Sequence, residues 1–450
     1  MIALVKTIKD LFGINKAIAF STVAKAVQAL GSLVTIVLVS KFLTQEEQGY
    51  YYTFHSILSI QVFVELGLGG IIIQYVAHEF AFLKIDNRNH VVGEDIHLGK
   101  LVALVRFFAK WYLVSAVLLF LILFVSGFSF FYNYSLNDSI EWQMPWLILI
   151  IATSLNLLLS PLFAFFEGVN KVKDVAFIRM ITQMSSLVCI WTILLCGGKL
   201  YTASFTSLLN VIINILLLFK YKGLMSIYKN VITNEVKGEV NYFNEIFPYQ
   251  WRVAISWMSG YFIFQLFNPV LFATCGAEVA GQMGMTLSVL NGILGLTLSW
   301  TSTNMPSWSS MVARKEYNAL DVSFNKVLKS SSMVCFIGIM AFLLALYILN
   351  YYNIPLYGRF LPFYLSAILS TTIFFNNIIN AWATYLRCHK KEPFIIQATI
   401  VGVANAFSTL ITANFIGVQG VVIGYTSIVI FLSLPLSYVI FKTKKKLYNV

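Results

Sequence analysis

No Walker A loop, no GxSxG turn, no HExxH helix and no clustered His/Asp pattern occurs in this sequence. Those absences remove nucleotide hydrolysis, serine-hydrolase chemistry and zinc-protease chemistry from the functions open to it. Cysteine is scarce. Cys189, Cys196, Cys275, Cys335 and Cys388 are scattered without a CxxC or paired spacing, so neither a metal site nor a disulfide framework is expected, and no cofactor is implied. Of the histidines, His78, His90 and His97 share one polar stretch, where solvation is a simpler reading than metal ligation, and only His55 falls within an apolar run. Charge is sparse as well, with Asp, Glu, Lys and Arg making up 11% of the chain.

What fills the space is hydrocarbon. The 450 residues are 58% hydrophobic, with a mean hydropathy of +0.78, outside the range of soluble domains. Twelve apolar runs are long enough to cross a bilayer, which takes about 20 residues each. They lie at 17–42, 50–76, 101–125, 144–167, 176–196, 200–219, 249–274, 279–304, 328–349, 360–385, 393–415 and 418–441. Strands of a membrane barrel would be about ten residues long and alternating. The expected fold is therefore all-α, a polytopic membrane protein of about twelve transmembrane helices in two six-helix lobes around a central cavity. The first run follows a basic segment but is about twice the length of a signal-peptide core, so it is read as span one.

The gaps between the runs alternate in charge. Basic gaps are the N-terminus (Lys6, Lys9, Lys16), Lys84–Arg88–Lys100, Lys171–Lys173–Arg179, Lys220–Lys222–Lys229–Lys237, Arg314–Lys315–Lys326–Lys329, Arg387–Lys390–Lys391 and Lys442–Lys444–Lys445–Lys446, together 24 of the 31 basic residues. The intervening gaps hold only Lys41, Lys199 and Arg359. This is the positive-inside pattern; it implies an even number of spans with both termini in the cytoplasm. The net charge of +12 is then a topological label and no argument for nucleic acid as a partner.

The longest polar interruptions are 77–100, 220–247 and 306–326, all in basic gaps. The middle one divides the chain into an N-terminal lobe at 1–219, a linker at 220–247 and a C-terminal lobe at 248–450. Within the linker Leu224, Ile227, Tyr228, Val231 and Ile232 recur at helical spacing beside basic residues, the pattern of an interfacial helix. A short internal repeat links the two lobes: spans one and seven both exit into an acidic loop, with Glu46 and Glu278, followed by a glycine, Gly49 and Gly281, that opens the next helix. Lobes with even span counts would be parallel repeats about the membrane normal.

Ionisable side chains in mid-span cost about 2.5–3.5 kcal/mol each on insertion scales, so those present face the bundle interior or a wet cavity. On span one Ser21, Lys25, Gln28, Ser32 and Thr35 recur at +4, +3, +4 and +3 and form one polar stripe. Interhelical hydrogen bonding accounts for the hydroxyls; Lys25, too deep to snorkel comfortably, reads as a cavity-facing cation. Arg252 opens span seven with Ser256 and Ser259 on its face, and there snorkelling competes with a role in the lumen. Glu65, in VFVELGLGGIII of span two, is the one acid well inside a span. It has three readings: a salt-bridge partner, Lys25 being one candidate; a protonatable coupling group; or a neutral packing acid. Pro269 leaves the Gln265 carbonyl without its helical donor and Gly260 loosens the same helix, so span seven is expected to hinge. Glu167 reads as a solvated helix-end acid, and Arg106 and Lys110 as snorkelling to headgroups. Stripes on span six (Ser207, Asn210, Asn214) and span ten (Thr372, Asn376, Asn380, Arg387) suit ordinary bundle packing.

Four segments resemble the polysaccharide-transporter branch, the O-antigen flippases (Wzx type), of the multidrug/oligosaccharidyl-lipid/polysaccharide exporter superfamily. They are LTQEEQGYYYTF after span one, VELGLGGIIIQYVA in span two, FEGVNKVKDVAFIRMI after span four and STNMPSWSSMVARKEYNAL after span eight. The chain departs from the family pattern at Gln74, where an arginine often stands. The resemblance spans essentially the whole chain. It implies a multi-pass protein of the bacterial cytoplasmic membrane, not an enzyme, that moves undecaprenyl-pyrophosphate-linked oligosaccharide by alternating access. Its partners would be that lipid-linked oligosaccharide, membrane lipids, and the glycan polymerase and glycosyltransferases of the same pathway. On this view Lys25, Gln28, Ser32, Glu65, Arg252 and Ser256 line the substrate path, and Gly260 and Pro269 form a hinge. Two other readings remain at this stage: a cation-coupled multidrug antiporter of the same fold, and a membrane glycan-assembly enzyme, for which the nearly bare outer loops offer little catalytic surface.

Overall fold

The computed structural model describes residues 34–135, 140–236, 238–389 and 391–448, together with residues 27, 31 and 32. Among them nine helices are long and apolar enough to cross a membrane, and a tenth crossing is a pair bent by 41°, Gln45–Glu65 with Leu68–Phe80. The predicted tenth span is also helical, at Phe363–Arg387. Its amide and hydroxyl side chains keep it below the apolarity of the others. The first run lies mostly outside the described residues, which include its helical end at 34–42. The fold is all-α and polytopic.

In chain order the helices are α1 (Gln45–Leu58), α2 (Gln61–Glu65), α3 (Leu68–Phe80), α4 (Asp95–Tyr134), α5 (Gln143–Gly168), α6 (Val172–Leu195), α7 (Tyr201–Lys220), α8 (Lys222–Ile232), α9 (Phe247–Phe264), α10 (Phe267–Cys275), α11 (Ala277–Ala313), α12 (Tyr317–Tyr351), α13 (Phe363–Arg387), α14 (Ile395–Phe415), α15 (Val418–Ile428) and α16 (Leu434–Tyr448). The surface has a membrane protein's polarity. Along α4, Leu113, Val117, Leu121, Phe124 and Val125 are exposed, while Tyr112, Ser115, Leu119 and Leu123 are buried. A helix apolar on both faces belongs in hydrocarbon. At about 1.5 Å per residue, its 40 residues also reach well past a core about 30 Å thick. Span eight is likewise longer than its apolar run, since α11 continues through Pro306.

The chain forms two compact units. One holds Gln61–Asn133 and Glu141–Ala254 with the described residues before Val39; the other holds Val39–Ile60, Tyr134–Ile140 and the chain from Ile255 onward. The second unit thus takes in α1, from early in the sequence.

In the first unit, the amide stripe of span six is tied helix to helix. Asn214 accepts from Thr182 at 2.9 Å and Asn210 from Ser186, while Asn156 of α5 donates to the Ser207 carbonyl at 3.4 Å. The amphipathic helix α8 buries Leu224, Ile227 and Val231, and its Tyr228 ring meets Phe165 and Phe166. Protein therefore covers its apolar side. Arg106 donates to the Ile232 carbonyl (3.1 and 2.9 Å) and the Asn234 carbonyl (2.7 Å), filling acceptors that the end of α8 leaves open. The polar stretch before α4 folds as a hairpin, β1 (Leu83–Ile85) against β2 (Val91–Gly93), turned by Asp86, whose carboxylate accepts from the Arg88 and His90 amides at 2.9 and 2.7 Å. His97 holds Glu79 beneath it at 2.6 Å.

In the second unit, α13 is tied to its neighbours by the predicted stripe. Thr372 bonds Thr426 at 2.9 Å and Asn376 donates to the Tyr425 hydroxyl at 3.1 Å. At the basic-loop end Trp308, Phe324, Tyr385, Leu386 and Phe394 form a buried apolar cluster. Beside it Asp321 accepts from Tyr385 at 2.7 Å and pairs with Lys445 at 2.8 Å. At the opposite end α1 crosses α11 at Gly49 and Gly281. A Cβ on Gly281 would stand 2.9 Å from the Gly49 nitrogen and 3.2 Å from the Gln45 carbonyl oxygen, and one on Gly49 would overlap the Ala277 carbonyl. The two repeat glycines therefore meet each other, each against the residue four before the other. That is the symmetry of a two-fold crossing.

Candidate functional site

Span two is broken twice. A turn at Ser59–Ile60 separates α1 from α2, and the bend between α2 and α3 is built on Leu66 (φ 53°) and Gly67 (φ 69°). Glycine takes the left-handed conformation freely, whereas for leucine it costs about 1–2 kcal/mol, a strain that persists only where surroundings enforce it. Glu65 is the last residue before this bend. Its carboxylate accepts from the Tyr112 hydroxyl of α4 at 3.3 Å and from Gln61 at 3.4 Å. Ser160 of α5, a member of the polar stripe on span four, stands near the Tyr112 hydroxyl. Among the described residues no basic side chain pairs with Glu65. Among the described residues, then, the acid at the bend is held by neutral hydroxyl and amide groups, which leave its carboxylate able to take a proton or a small cation.

Lys25 and Gln28 lie outside the described residues. Ser32 is half-buried in helix. One turn on, Thr35 accepts from Trp191 of α6 at 3.0 Å, and the Leu187 side chain occupies the space a Cβ on Gly31 would need, so this end of the stripe packs on span five. Arg252 is exposed, with its guanidinium 5.5 Å from the Trp251 ring centroid. Ser256, one turn along α9, is half-buried. Ser259 on the same face is buried, and the close approach of Gly402 of α14 (3.1 Å from its carbonyl oxygen to a Cβ built there) turns that stretch toward span eleven. Gly260 has no described atom within 4 Å of where a Cβ would stand. The helix is interrupted at Gln265–Leu266, the turn whose carbonyl Pro269 cannot serve. Glu167 pairs with Arg179 at 2.8 Å.

Sequence reasoning passed over Arg359, counted above as one of three stray charges in the bare gaps. In the second unit it donates to the Leu43 carbonyl at 2.6 Å. Burial pushes its guanidinium below the ordinary value, against the opposing pull of Glu278 and Glu47. The cue available in the sequence was its isolation: a single arginine in one of the gaps otherwise almost bare of basic residues, with acids at two matched repeat positions elsewhere.

No family model matches the sequence, and no curated protein matches it. Solved structures do. One is an inward-facing multidrug resistance MATE family transporter of the MOP superfamily, at TM-score 0.66 and 13% identity over 96% of this chain and 99% of that one. Another is the lipid II flippase MurJ in an inward closed conformation, at TM-score 0.62 and 15% identity over 95% and 89%. A third is a MOP superfamily transporter from Pyrococcus furiosus, at TM-score 0.61 and 12% identity over 97% and 96%. The chain has the fold of these polytopic transporters along nearly its whole length.

Proposed function

We propose that this chain is a flippase that carries an undecaprenyl-pyrophosphate-linked oligosaccharide across the bacterial cytoplasmic membrane by alternating access, with both termini in the cytoplasm. The observation that carries a transport role is Glu65, a carboxylate at a strained bend in mid-span whose partners among the described residues are the Tyr112 hydroxyl and the Gln61 amide. A group so placed can couple its charge state to the angle of span two. The cargo rests on the four resembling segments and on likeness to a lipid II flippase. Lys25 and Arg252 would meet the diphosphate by charge-assisted hydrogen bonds, with Gln28, Ser32 and Ser256 offering polar contacts to sugars. Bending at Gly260 and Pro269 would accompany the step. Pathway glycosyltransferases and a glycan polymerase would supply and consume the cargo.

The test is Lys25→Ala combined with Arg252→Ala, and separately Glu65→Gln, in a host whose surface glycan depends on the gene. Each is expected to lower surface glycan at unchanged protein abundance. Normal glycan in the double variant would refute the cation site; normal glycan in Glu65→Gln would refute the coupling acid.

A second reading, a cation-coupled multidrug antiporter, is favoured by likeness to MATE multidrug transporters. It predicts drug resistance on overexpression, which the flippase reading does not.

A further inference from the structure

We propose that the loop Pro355–Arg359 is a latch that holds the α1–α11 crossing closed at the bare-loop end, with Arg359 as its bolt. At the centre of the crossing Gly49 meets Gly281 backbone to backbone, and one turn on the Tyr52 side chain of α1 packs against Gly284 of α11. The grip comes from the loop between α12 and α13. The Gly358 carbonyl accepts from Gln45 of α1 at 3.2 Å and from Gln282 of α11 at 3.0 Å, so one acceptor bridges both helices. Gln48 of α1 divides its amide donor between the Gly281 carbonyl of α11 (2.8 Å) and the Arg359 carbonyl (3.1 Å). Arg359 completes the clasp by reaching past α1 to the Leu43 carbonyl at 2.6 Å and to Gln48 at 3.5 Å. Below the loop, the Leu361 amide donates to Thr286 of α11 at 3.1 Å.

Every one of these bonds is polar and directional, and water can replace each once the helices part. That is the chemistry of a contact made to open, unlike the apolar cluster at the other end of the same unit. The tether permits the movement as well, because α1 continues into the rest of span two through a turn at Ser59–Ile60. An arginine keeps its charge at any physiological pH, so the latch answers to mechanical load and not to protonation. The latch rests on the alternating-access reading but is independent of the cargo.

The experiment reads access. Ser288 of α11 lies about two turns beyond Gly281, near the Tyr52 hydroxyl of α1, with its own hydroxyl donating to the Gly284 carbonyl at 2.9 Å. In a background without the five native cysteines, Ser288→Cys is labelled in intact cells with a membrane-impermeant maleimide, alone and with Arg359→Ala or Arg359→Lys. Arg359→Ala is expected to raise the labelling rate about tenfold, the population shift that goes with losing one hydrogen bond to a charged group; Arg359→Lys should keep the rate within about threefold of the parent. Equal labelling in parent and Arg359→Ala, at equal abundance, would overturn the latch. Raised labelling with no glycan or drug phenotype would leave the latch standing and count against the cargo proposal.

Discussion

Adding one methyl group at Gly49 tests how the second unit is assembled. In Gly49→Ala the new Cβ meets the Ala277 carbonyl, a backbone group that cannot rotate aside, so α1 must back away from α11. Overpacking of this kind costs about 1–3 kcal/mol. Separation also stretches the Gln48 bond to the Gly281 carbonyl and one of the two bonds to Gly358, from Gln45 or from Gln282, each worth about 0.5–1.5 kcal/mol. Against this stands the gain of about 0.5–1 kcal/mol from replacing glycine by alanine inside a helix. The loss wins by about 1–5 kcal/mol if the crossing alone absorbs the strain. The control is on α11, where Gly292 has open space around the position of a Cβ; Gly292→Ala should show only the gain. Thermal unfolding in detergent, followed by the loss of monodisperse protein on size exclusion, should place Gly49→Ala well below the parent and Gly292→Ala at or above it. Similar midpoints for the two variants would refute the close crossing.

Two further outcomes follow from buried polar groups. Asn405 of α14 is fully buried with neither amide atom bonded to any described residue; Asn405→Leu, which keeps the volume, should leave thermal stability unchanged or raise it by about 1–3 kcal/mol, and a clear loss would show that the amide is satisfied in the membrane. Asp321 and Lys445 are each about a third exposed, so a double-mutant cycle of Asp321→Asn and Lys445→Met should give a coupling of only about 0.2–1 kcal/mol by unfolding midpoint; coupling beyond about 2 kcal/mol would contradict the solvent screening implied by that exposure.

Much of the fold was legible because bilayer thickness imposes its own length on every apolar run. The runs read from hydropathy reappear as described helices from span two onward, and the interhelical reading of Asn210, Asn214, Thr372 and Asn376 has hydrogen bonds behind it. The match of Gly49 with Gly281 was visible as a repeat, though not that the pair would touch. Hydropathy has no term for where a loop folds back. The run at 50–76 gave no sign of its first break, since Ser59–Ile60 lies in apolar sequence without a proline, and at the second the cue was Gly67. Arg106 and Arg359 looked like ordinary headgroup and loop charges because their partners are backbone carbonyls, which leave no trace in side-chain chemistry. The hairpin at Asp86–Asn89 did leave a trace, a run of turn-forming Asp and Asn between two short apolar pairs. For the candidate site, the sequence singled out Glu65 but not its hydroxyl partner Tyr112, some 47 residues away.

The placement of α1 in the second unit has a consequence for biosynthesis. Gly49 leaves the ribosome about 230 residues before Gly281, and at roughly 5–20 residues per second its docking partner is made on the order of 10–50 s later. Through that interval a helix carrying Gln45, Gln48 and a bare glycine face must wait in the bilayer or its insertion machinery without the surface it was shaped for. Slowing translation anywhere between the two positions would lengthen that wait, and the yield of folded protein should fall with it more steeply than for slowing after Gly281.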